Sequence, residues 1–485
     1  MIGALAALVV GILLADRFEV GAAAAWIAFA ALAALTMAVR RHRMAQVGVL
    51  AATAMLGAGL HAWNGSRQTV PQQTTLYLEL EVNDIPVRHK AGDRATARIV
   101  LCEYGGREYT SRENTLLLAD TTLAIRCGDR ISCVAEVLPL NGQGPAARTL
   151  RRRGFTGSVN LSADNTVGIR HSAPSTLHAA AVERINRLGL SGAAEALAAA
   201  MAAGDTSKMD ARMRHTYSRS GLAHLLAVSG LHVGIVMLLV DFCLAWLSLL
   251  KYGNLLRYVA VLIPVWLYAA ACGMPASVAR AAAMLTIVRT ARIKAVRHSM
   301  PNTLAITALI MLVADTDLLF DISFQLSFTA VAAIVCFNAP FEPLYRRLAM
   351  PLRILLKTAV VSISATLAAT PLISSTFGII APAGIVLSPA AMLCCYVIIS
   401  LSMLWIAMPV QALAGIFAAT VSGAAKVLDS TAAALETCPC AWFECTMPPV
   451  AVAAAYLLLA AAAAAALICS HTDNNTTRNN DPRTT

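Results

Sequence analysis

The chain has 485 residues, of which 58% are hydrophobic and 13% are charged, and its formal net charge is +11. Ordinary soluble domains carry about 25% charged residues, so this composition excludes a soluble enzyme, a disordered protein and a fibre. Apolar runs close to the roughly 18–20 residues that cross hydrocarbon recur along the chain. The sequence therefore predicts a polytopic α-helical membrane protein, and the positive charge is first explained by basic cytoplasmic loops.

The first 63 residues predict N-terminal transmembrane helices. Met1–Ala15 and Gly21–Val39 are apolar and predict a helical hairpin, and Ala45–Trp63 predicts a third helix. The cluster Arg40–Arg43 lies between the second and third stretches. Because Lys and Arg accumulate in cytoplasmic loops, the chain that follows the third helix is expected outside the cytoplasm.

Residues 64–175 predict a small all-β soluble domain, inserted after the N-terminal helices and extracytoplasmic. Apolar and polar residues alternate here, the period of a strand with one buried face. The alternating positions are Leu76, Leu78, Leu80 and Val82; Ile131, Cys133, Ala135 and Val137; and Phe155, Gly157, Val159 and Leu161. Turn-forming stretches such as Asn141–Pro145 separate them. Whether Cys102, Cys127 or Cys133 forms a disulfide stays open at this point.

Residues 176–470 predict a second, larger helical membrane domain. Its apolar runs are 221–250, 255–272, 302–319, 322–339, 354–376, 384–408, 410–428 and 449–469. Together with the N-terminal stretches they predict about ten crossings by the length criterion. The Asn/Thr-rich residues 471–485 predict a disordered polar tail.

The most unusual stretch is GLAHLLAVSGLHVG, residues 221–234, which places two histidines and a Ser-Gly pair in an apolar run. Polar and ionisable groups at membrane depth usually face a bundle interior or a wet cavity, and glycines permit a broken helix. The stretch therefore predicts one wall of a polar cavity. Tight helix packing, with each histidine hydrogen-bonded across helices, is the open alternative.

Other stretches share this mixed character and complete the set of candidate channel-lining residues. Arg280 lies in a small-residue helix and either snorkels to an interface or faces an anion path, while Asp321 is a candidate N-cap for the helix that carries Gln325. Pro275 and Pro371 are candidate helix breaks, which favour discontinuous spans. The channel-lining candidates are His224, Ser229, Gly230, His232, Arg280, Gln325, Ser327 and Asp205.

The residues predict no catalytic centre, no metal site and no cofactor. His224 and His232 lack a third ligand, and no ATP-binding loop is present. Ser229 with a histidine base is conceivable, although the glycine two residues before the serine of a nucleophile elbow is missing. An intramembrane serine hydrolase using Ser229 and His232 is therefore one alternative function. A small-solute transporter is another, disfavoured because no duplicated half-pattern is found.

Taken in order, these motifs resemble the ComEC-type competence family. The matching pieces are Met201–Asp205 (MAAGD), Gly221–Gly234, Gly273–Met284 (GMPASVARAAAM), Asn302–Leu312, Phe324–Phe328 (FQLSF), Ala365–Gly378 and Leu150–Leu161. The resemblance implies a multi-pass channel of the bacterial inner membrane that takes up single-stranded DNA during natural transformation, with an OB-like domain outside. It also implies a periplasmic DNA-binding competence protein and a cytoplasmic helicase-like motor or strand-binding proteins as partners, and leaves the oligomeric state open.

An OB-like domain binds single strands through a basic groove and stacking aromatics. Arg148, Arg151, Arg152 and Arg153 are the corresponding candidates for DNA backbone contacts, and Tyr77, Tyr104 and Phe155 are candidate stacking platforms. A solvated rim and a set of core aromatics are the alternatives. Many family members also carry a C-terminal metallo-β-lactamase-like domain, but no His-x-His-x-Asp-His cluster occurs in this sequence. We therefore expect a separate protein to supply any nuclease.

Overall fold

The structure is a computed structural model. It describes residues 1–18, 21–38, 42–65, 70–83, 86–89, 92–104, 107–111, 113–123, 125–140, 150, 155–171, 177–294, 299–438 and 441–479. It is mostly helical, with a β-barrel between an N-terminal group of helices and a larger helical bundle. This architecture confirms the predicted fold class.

Three helices open the chain and correspond to the three apolar stretches. They are α1 (Ile2–Phe18), α2 (Ala22–Ala38) and α3 (His42–Gly65). The backbones of α1 and α3 approach closely at Gly57. A Cβ added there would lie only 2.6 Å from the carbonyl oxygen of Leu8. Leu8 itself is buried against Leu312 and Phe324 of the larger bundle. The N-terminal helices are therefore packed onto that bundle through apolar contacts.

Eight strands follow and form one sheet. They are β1 (Thr75–Val82), β2 (Val87–His89), β3 (Gly92–Tyr104), β4 (Arg107–Thr110), β5 (Asn114–Ala119), β6 (Arg130–Pro139), β7 (Phe155–Leu161) and β8 (Thr166–Arg170). Five of these strands close on themselves in the order β1-β3-β5-β7-β6, with β6 pairing back to β1. The β5–β7 pair is parallel and the other barrel pairs are antiparallel. A five-stranded Greek-key barrel of this kind is OB-like, as predicted.

The apolar positions that alternate along the sequence are the buried positions of the barrel strands. In β1, Leu76, Leu78 and Leu80 are all buried while the residues between them are partly exposed. The same holds for β6, where Ile131 and Cys133 point into the core. Because side chains of a strand alternate between faces, one continuous apolar interior follows from these period-two patterns.

The barrel register excludes one of the possible disulfides. Leu78 of β1 pairs with Cys102 of β3 on one side and with Cys133 of β6 on the other. The two cysteines are therefore two strands apart, about 10 Å, whereas a disulfide needs Cα atoms about 4.4–6.8 Å apart. The Sγ atom of Cys127 lies 3.3 Å from the Asn83 carbonyl oxygen and donates to it. Burial raises the pKa of the Cys133 thiol to about 12 and also raises the pKa of Cys102.

The second helical part begins after the barrel. Its elements are α4 (Leu177–Asn186), α5 (Ala193–Ala198), a π-helical segment (Ala199–Ala203), α6 (Ala211–Arg219), α7 (Ala223–Leu226), α8 (Gly230–Cys243), α9 (Gly253–Ala271), α10 (Ala276–Ile293), α11 (Met300–Ala314), α12 (Ile322–Asn338), α13 (Glu342–Arg347), α14 (Met350–Phe377), α15 (Ala383–Ala407), α16 (Ala414–Glu436) and α17 (Pro449–Asn479). A short pair of strands, β9 (Ile379–Ile380) and β10 (Phe443–Glu444), joins the end of α14 to the chain after α16.

Within the described ranges, four helices are long and apolar enough to span a membrane. They are Gly253–Ala271, Met350–Phe377, Ala390–Ala407 and Gln411–Glu436, and several others, including α8, α11 and α12, are apolar but shorter. The predicted ten crossings therefore exceed the helices that meet the length criterion. The largest difference lies in the run 221–250, which the structure breaks into α7, α8 and a 3₁₀ segment because Ala227 and Ser229 adopt extended backbone.

Pro371 is not a helix break, which corrects the prediction. Helix α14 runs without interruption from Met350 to Phe377 and ends at Gly378, whose φ of 70° is left-handed. A proline removes one backbone donor, and membrane helices tolerate this because neighbouring groups satisfy the freed carbonyl. The end of the helix is set instead by the glycine, which adopts this conformation without a steric penalty.

The disordered tail expected over residues 471–485 stays a prediction, because the structure describes only part of this range. Helix α17 continues to Asn479, and residues 480–485 lie outside the described residues. Asn and Thr are weak helix formers. Extending a helix that an alanine-rich run has already nucleated is, however, much easier than starting one.

The barrel generates a prediction about thiol reactivity. At pH 7.5, a thiol-reactive maleimide should label Cys438, which is exposed, and spare Cys133 in the folded protein. Burial raises the pKa of Cys133 to about 12, so very little of the reactive thiolate forms at pH 7.5. Mass spectrometry after labelling, with a denatured sample as control, measures this. Labelling of Cys133 at the rate of Cys438 would contradict the buried barrel core.

Candidate functional site

Helix α8 begins at a polar turn built by the Ser-Gly-Leu-His stretch. Ser229 is the N-cap residue, with an extended backbone (φ −124°, ψ 174°). Its backbone N–H donates to Nδ1 of His232 over 3.1 Å, and its Oγ lies 2.9 Å from the same nitrogen. A side chain at the third helical position that reaches back to the N-cap is one half of a capping box. Ser229 and His232 are therefore held together by helix capping.

This contact fixes the proton of the imidazole. Because Nδ1 of His232 accepts from a backbone N–H, the neutral ring carries its proton on Nε2. His232 is 0% exposed, and its Nε2 has no hydrogen-bond partner among the described residues. The Nε2–H of His232 is therefore a buried donor with no acceptor among the described residues, whereas buried donors in proteins are normally hydrogen-bonded.

Arg280, one turn into α10, is buried with a relative exposure of 6%. Its Nε donates to Ser327 Oγ over 2.8 Å, and its Nη1 lies 3.4 Å from Met284 Sδ. The guanidinium also lies 5.8 Å from the centre of the Phe328 ring. All of these partners are neutral. No acidic side chain of the described ranges forms an ion pair with Arg280, so its charge has no counter-charge among the described residues.

Small residues bring α8, α10 and α12 together at this point. A Cβ added at Gly230 would lie 3.0 Å from Nη2 of Arg280 and 3.5 Å from Cβ of Ala281. Ser277 Oγ donates to the Val228 carbonyl oxygen over 2.6 Å. We call this meeting place the polar junction, defined by Val228–His232, Ser277–Met284 and Ser327–Phe328. It unites Ser229, Gly230, His232, Arg280 and Ser327 from the predicted set.

Asp205 lies at the edge of the polar junction. The π-helical segment Ala199–Ala203 is fully buried and ends at Gly204, which is left-handed with φ 77°. A Cβ at Gly204 would lie 3.4 Å from the side chain of Val228. Asp205 is 4% exposed; its Oδ1 accepts from the Ser207 N–H over 2.8 Å, and its Oδ2 has no hydrogen-bond partner within the described chain.

Two other arginines of this bundle, Arg257 and Arg289, are ion-paired, in contrast to Arg280. Asp241 near the end of α8 accepts from Arg257 over 2.6 Å and from Arg289 over 2.7 Å. The carboxylate thus ties α8 to α9 and α10, and one negative charge serves two guanidinium groups. This arrangement is an ion-pair tie between helices rather than an open site.

Other predicted residues are not brought to the junction. His224 on α7 is exposed, and its Nδ1 lies 3.1 Å from the carbonyl oxygen of Gly221. Gln325 donates to the Leu319 carbonyl oxygen, and Asp321 caps α12 by accepting from Ser323 and Phe324. Pro275 is the N-cap residue of α10, after a turn in which Gly273 and Met274 have positive φ. The candidate arginines 148, 151, 152 and 153 lie outside the described residues.

The candidate stacking aromatics of the barrel differ in their burial. Phe155 is buried against Leu116 and Leu140, in a small apolar cluster separate from the barrel core, which corrects its prediction as a stacking platform. Tyr104 is exposed at the end of β3. The register Cys102↔Tyr109 puts Tyr109 of β4, also exposed, on the same face of the hairpin as Tyr104.

A family model described as "Competence protein" matches residues 201–468 of the chain. The match begins in the π-helical segment before Asp205 and includes every element of the polar junction. It covers more than half of the 485 residues.

The chain belongs to the competence protein family. One relative is ComE operon protein 3 of Bacillus subtilis (strain 168), which is 26% identical over 143 residues. That alignment covers 30% of this chain and 18% of the relative, so the chain spans less than a fifth of the relative's length. No solved structure matches the chain.

Sequence reasoning missed several residues of this competence-family site. The sequence motifs that contain Ser277, Met284 and Phe328 do not single these residues out, yet each contacts Val228 or Arg280. The spacing of Ser277, Arg280 and Met284, at i, i+3 and i+7, places them on one face of α10. Such a face of polar residues in a helix of small residues was the available signal.

The ion-pair tie generates a prediction about stability. Asp241→Asn should lower the free energy of unfolding of this competence-family protein by about 1.5–3 kcal/mol, because it weakens charge-assisted hydrogen bonds to two arginines. Thermal unfolding of the full chain in detergent measures the loss. Arg289→Gln is the control and should cost less, since Arg257 keeps the carboxylate paired. Equal stability of Asp241→Asn and the wild type would contradict the tie.

Proposed function

We propose that this protein forms the inner-membrane passage through which a single strand of DNA enters the cytoplasm during natural transformation. Membership of the competence family supports a role in DNA uptake. The observation that carries the finer proposal is the polar junction, which collects a buried guanidinium and several hydroxyl groups inside an apolar bundle.

The physical argument starts from the cargo. A polyanion does not cross hydrocarbon, so it needs a hydrated path with cationic groups or helix N-termini along it. The polar junction supplies both, through Arg280 and the first turn of α8. A single uncompensated cation is also suited to movement, because a strand held by many phosphate contacts is bound tightly and slowly released.

The OB-like barrel supports the same proposal from outside the bundle. We propose that it lies on the extracytoplasmic side and receives the strand. Tyr104 and Tyr109 share an exposed face of the β3–β4 hairpin, and exposed aromatic rings stack on bases without sequence preference. In this proposal a periplasmic DNA-binding competence protein delivers DNA, a separate nuclease removes one strand, and cytoplasmic motor or strand-binding proteins draw the other inward.

Deletion of the gene tests the proposal. In a transformable host, we expect the deletion strain to bind labelled DNA at its surface as the wild type does and to accumulate none in a nuclease-resistant form in the cytoplasm. Transformation should fall to the background of spontaneous mutation and return when the intact gene is supplied. Normal transformation in the deletion strain would rule out the proposed function.

A second candidate is an intramembrane serine hydrolase, which the 2.9 Å distance from Ser229 Oγ to His232 Nδ1 favours. Two features weigh against it. Nδ1 also accepts the backbone N–H of Ser229, which occupies the lone pair a general base needs. No carboxylate of the described residues bonds to Nε2, so the third group that orients the base in a triad is missing there.

A serine-reactive fluorophosphonate probe separates the two candidates. We expect no labelling of the purified wild-type protein, because the hydroxyl is a capping group. Ser229→Ala serves as the matched control for background. Labelling of the wild type that disappears in Ser229→Ala would establish the hydrolase and overturn the capping interpretation.

A further inference from the structure

We infer that Arg280 and the first turn of α8 together bind one phosphodiester group of the passing DNA strand. This inference rests on the proposed function and assigns a specific contact within it. The site consists of the Arg280 guanidinium, the backbone at Gly230 and the hydroxyl of Ser327 that holds the guanidinium.

The first argument is the unbalanced charge. Moving an ion out of water costs several kcal/mol, and a buried charge is normally compensated by a partner of opposite sign. Arg280 is buried, and its two side-chain hydrogen-bond partners, Ser327 Oγ and Met284 Sδ, are neutral. Asp241, by contrast, binds Arg257 and Arg289 of neighbouring helices. Arg280 is therefore a cation that the described chain orients but does not neutralise.

The second argument is the direction of the guanidinium. Its Nη2 has no hydrogen bond to the described residues and faces Gly230, where an added Cβ would lie only 3.0 Å away. Gly230 is the first residue of α8, a helix of 14 residues. The N-terminus of a helix carries a partial positive charge and unsatisfied N–H groups, and it binds phosphate for this reason. Two independent sources of positive potential therefore meet at one point.

The third argument is the match to a phosphodiester. A guanidinium presents a planar fork of donors that suits phosphate oxygens. Its Nε is already engaged by Ser327, which fixes the plane and leaves the Nη2 edge for a ligand. A Cβ at Gly230 would lie only 3.0 Å from Nη2, so a side chain at this position would crowd the edge of the guanidinium that faces the start of α8. One such contact gives salt-dependent, sequence-independent affinity.

Binding of a short oligothymidylate to the full-length protein in detergent tests the inference. The dissociation constant is measured over a range of salt concentrations for the wild type and for Arg280→Gln. For single strands, each phosphate contact contributes about 0.7 to the slope of log affinity against log salt. Arg280→Gln should therefore flatten the slope by about 0.7 and weaken binding roughly tenfold, which corresponds to one charge-assisted hydrogen bond.

Arg289→Gln is the matched control. It removes the same charge from the same helix, but from an arginine that is ion-paired with Asp241. Its slope should equal that of the wild type. Equal slopes for Arg280→Gln, Arg289→Gln and the wild type would overturn the inference, since the burial of Arg280 would then serve packing alone.

Two further variants guard against misfolding of the first. Gly230→Ala keeps the guanidinium and fills the space beside Nη2, so it should weaken oligothymidylate binding, while Arg280→Lys keeps the charge and should keep the slope. Thermal unfolding without phosphate gives a separate readout. Arg280→Gln should unfold no earlier than the wild type, because it removes an unpaired buried charge. Earlier unfolding with an unchanged salt slope would mark Arg280 as a structural residue.

A phospholipid headgroup offers the same chemistry, and the assay distinguishes it. Adding phosphatidylglycerol to the detergent should leave the slope difference between wild type and Arg280→Gln in place. Loss of that difference would assign the site to lipid and overturn the DNA contact. The proposed function has a separate test. If oligothymidylate binding depended on Arg280 but no strain imported DNA, the phosphate site would be retained and the proposed passage for DNA would be rejected. If Arg280→Gln changed neither DNA import nor the salt slope of oligothymidylate binding, the phosphate site would be rejected and the proposed passage would be retained.

Discussion

Three helices of the larger bundle close around one guanidinium that is buried among neutral partners. Arg280 enters an apolar helical environment because Ser327 accepts its Nε–H and because Gly230 has no side chain to exclude it. Three helices must therefore meet closely at this point, and small residues on α8 and α10 allow them to do so. Helix α8 begins after Ser229, which caps it with an extended backbone, and its first residue, Gly230, lies beside the cation.

The sequence was sufficient for the fold class. Alternation in Leu76, Leu78 and Leu80 predicted the barrel strands, since period-two burial is a local property. It was insufficient for barrel closure, because the β1–β6 and β5–β7 pairings join residues distant in the chain. Helix continuity through Pro371 was also missed. A proline in the sequence shows that one backbone donor is lost. Whether the helix continues through it depends on neighbouring groups that the sequence does not show.

The same distinction applies to the site. Unusual polarity in an apolar run singled out Ser229, His232 and Arg280, because the cost of burying such groups does not depend on the fold. Their grouping was not predictable, since Arg280 and Ser327 are 47 residues apart. Nor did the sequence separate Arg280 from Arg289, which differ only in whether a carboxylate lies nearby. Gln325 was singled out for the same polarity, but its side chain donates to Leu319 in the 3₁₀ segment that precedes its helix.

The closed barrel has a consequence for the order in which the protein is made. Its five closing strands lie between Thr75 and Leu161, and β7 inserts between β5 and β6 to complete the ring. Chains are synthesised from the N-terminus and their domains generally fold as units. Every strand needed for closure thus leaves the ribosome before α4 begins at Leu177. The barrel is able to mature while the downstream helices are still being translated, so its slow long-range strand pairing need not wait for membrane insertion of the rest.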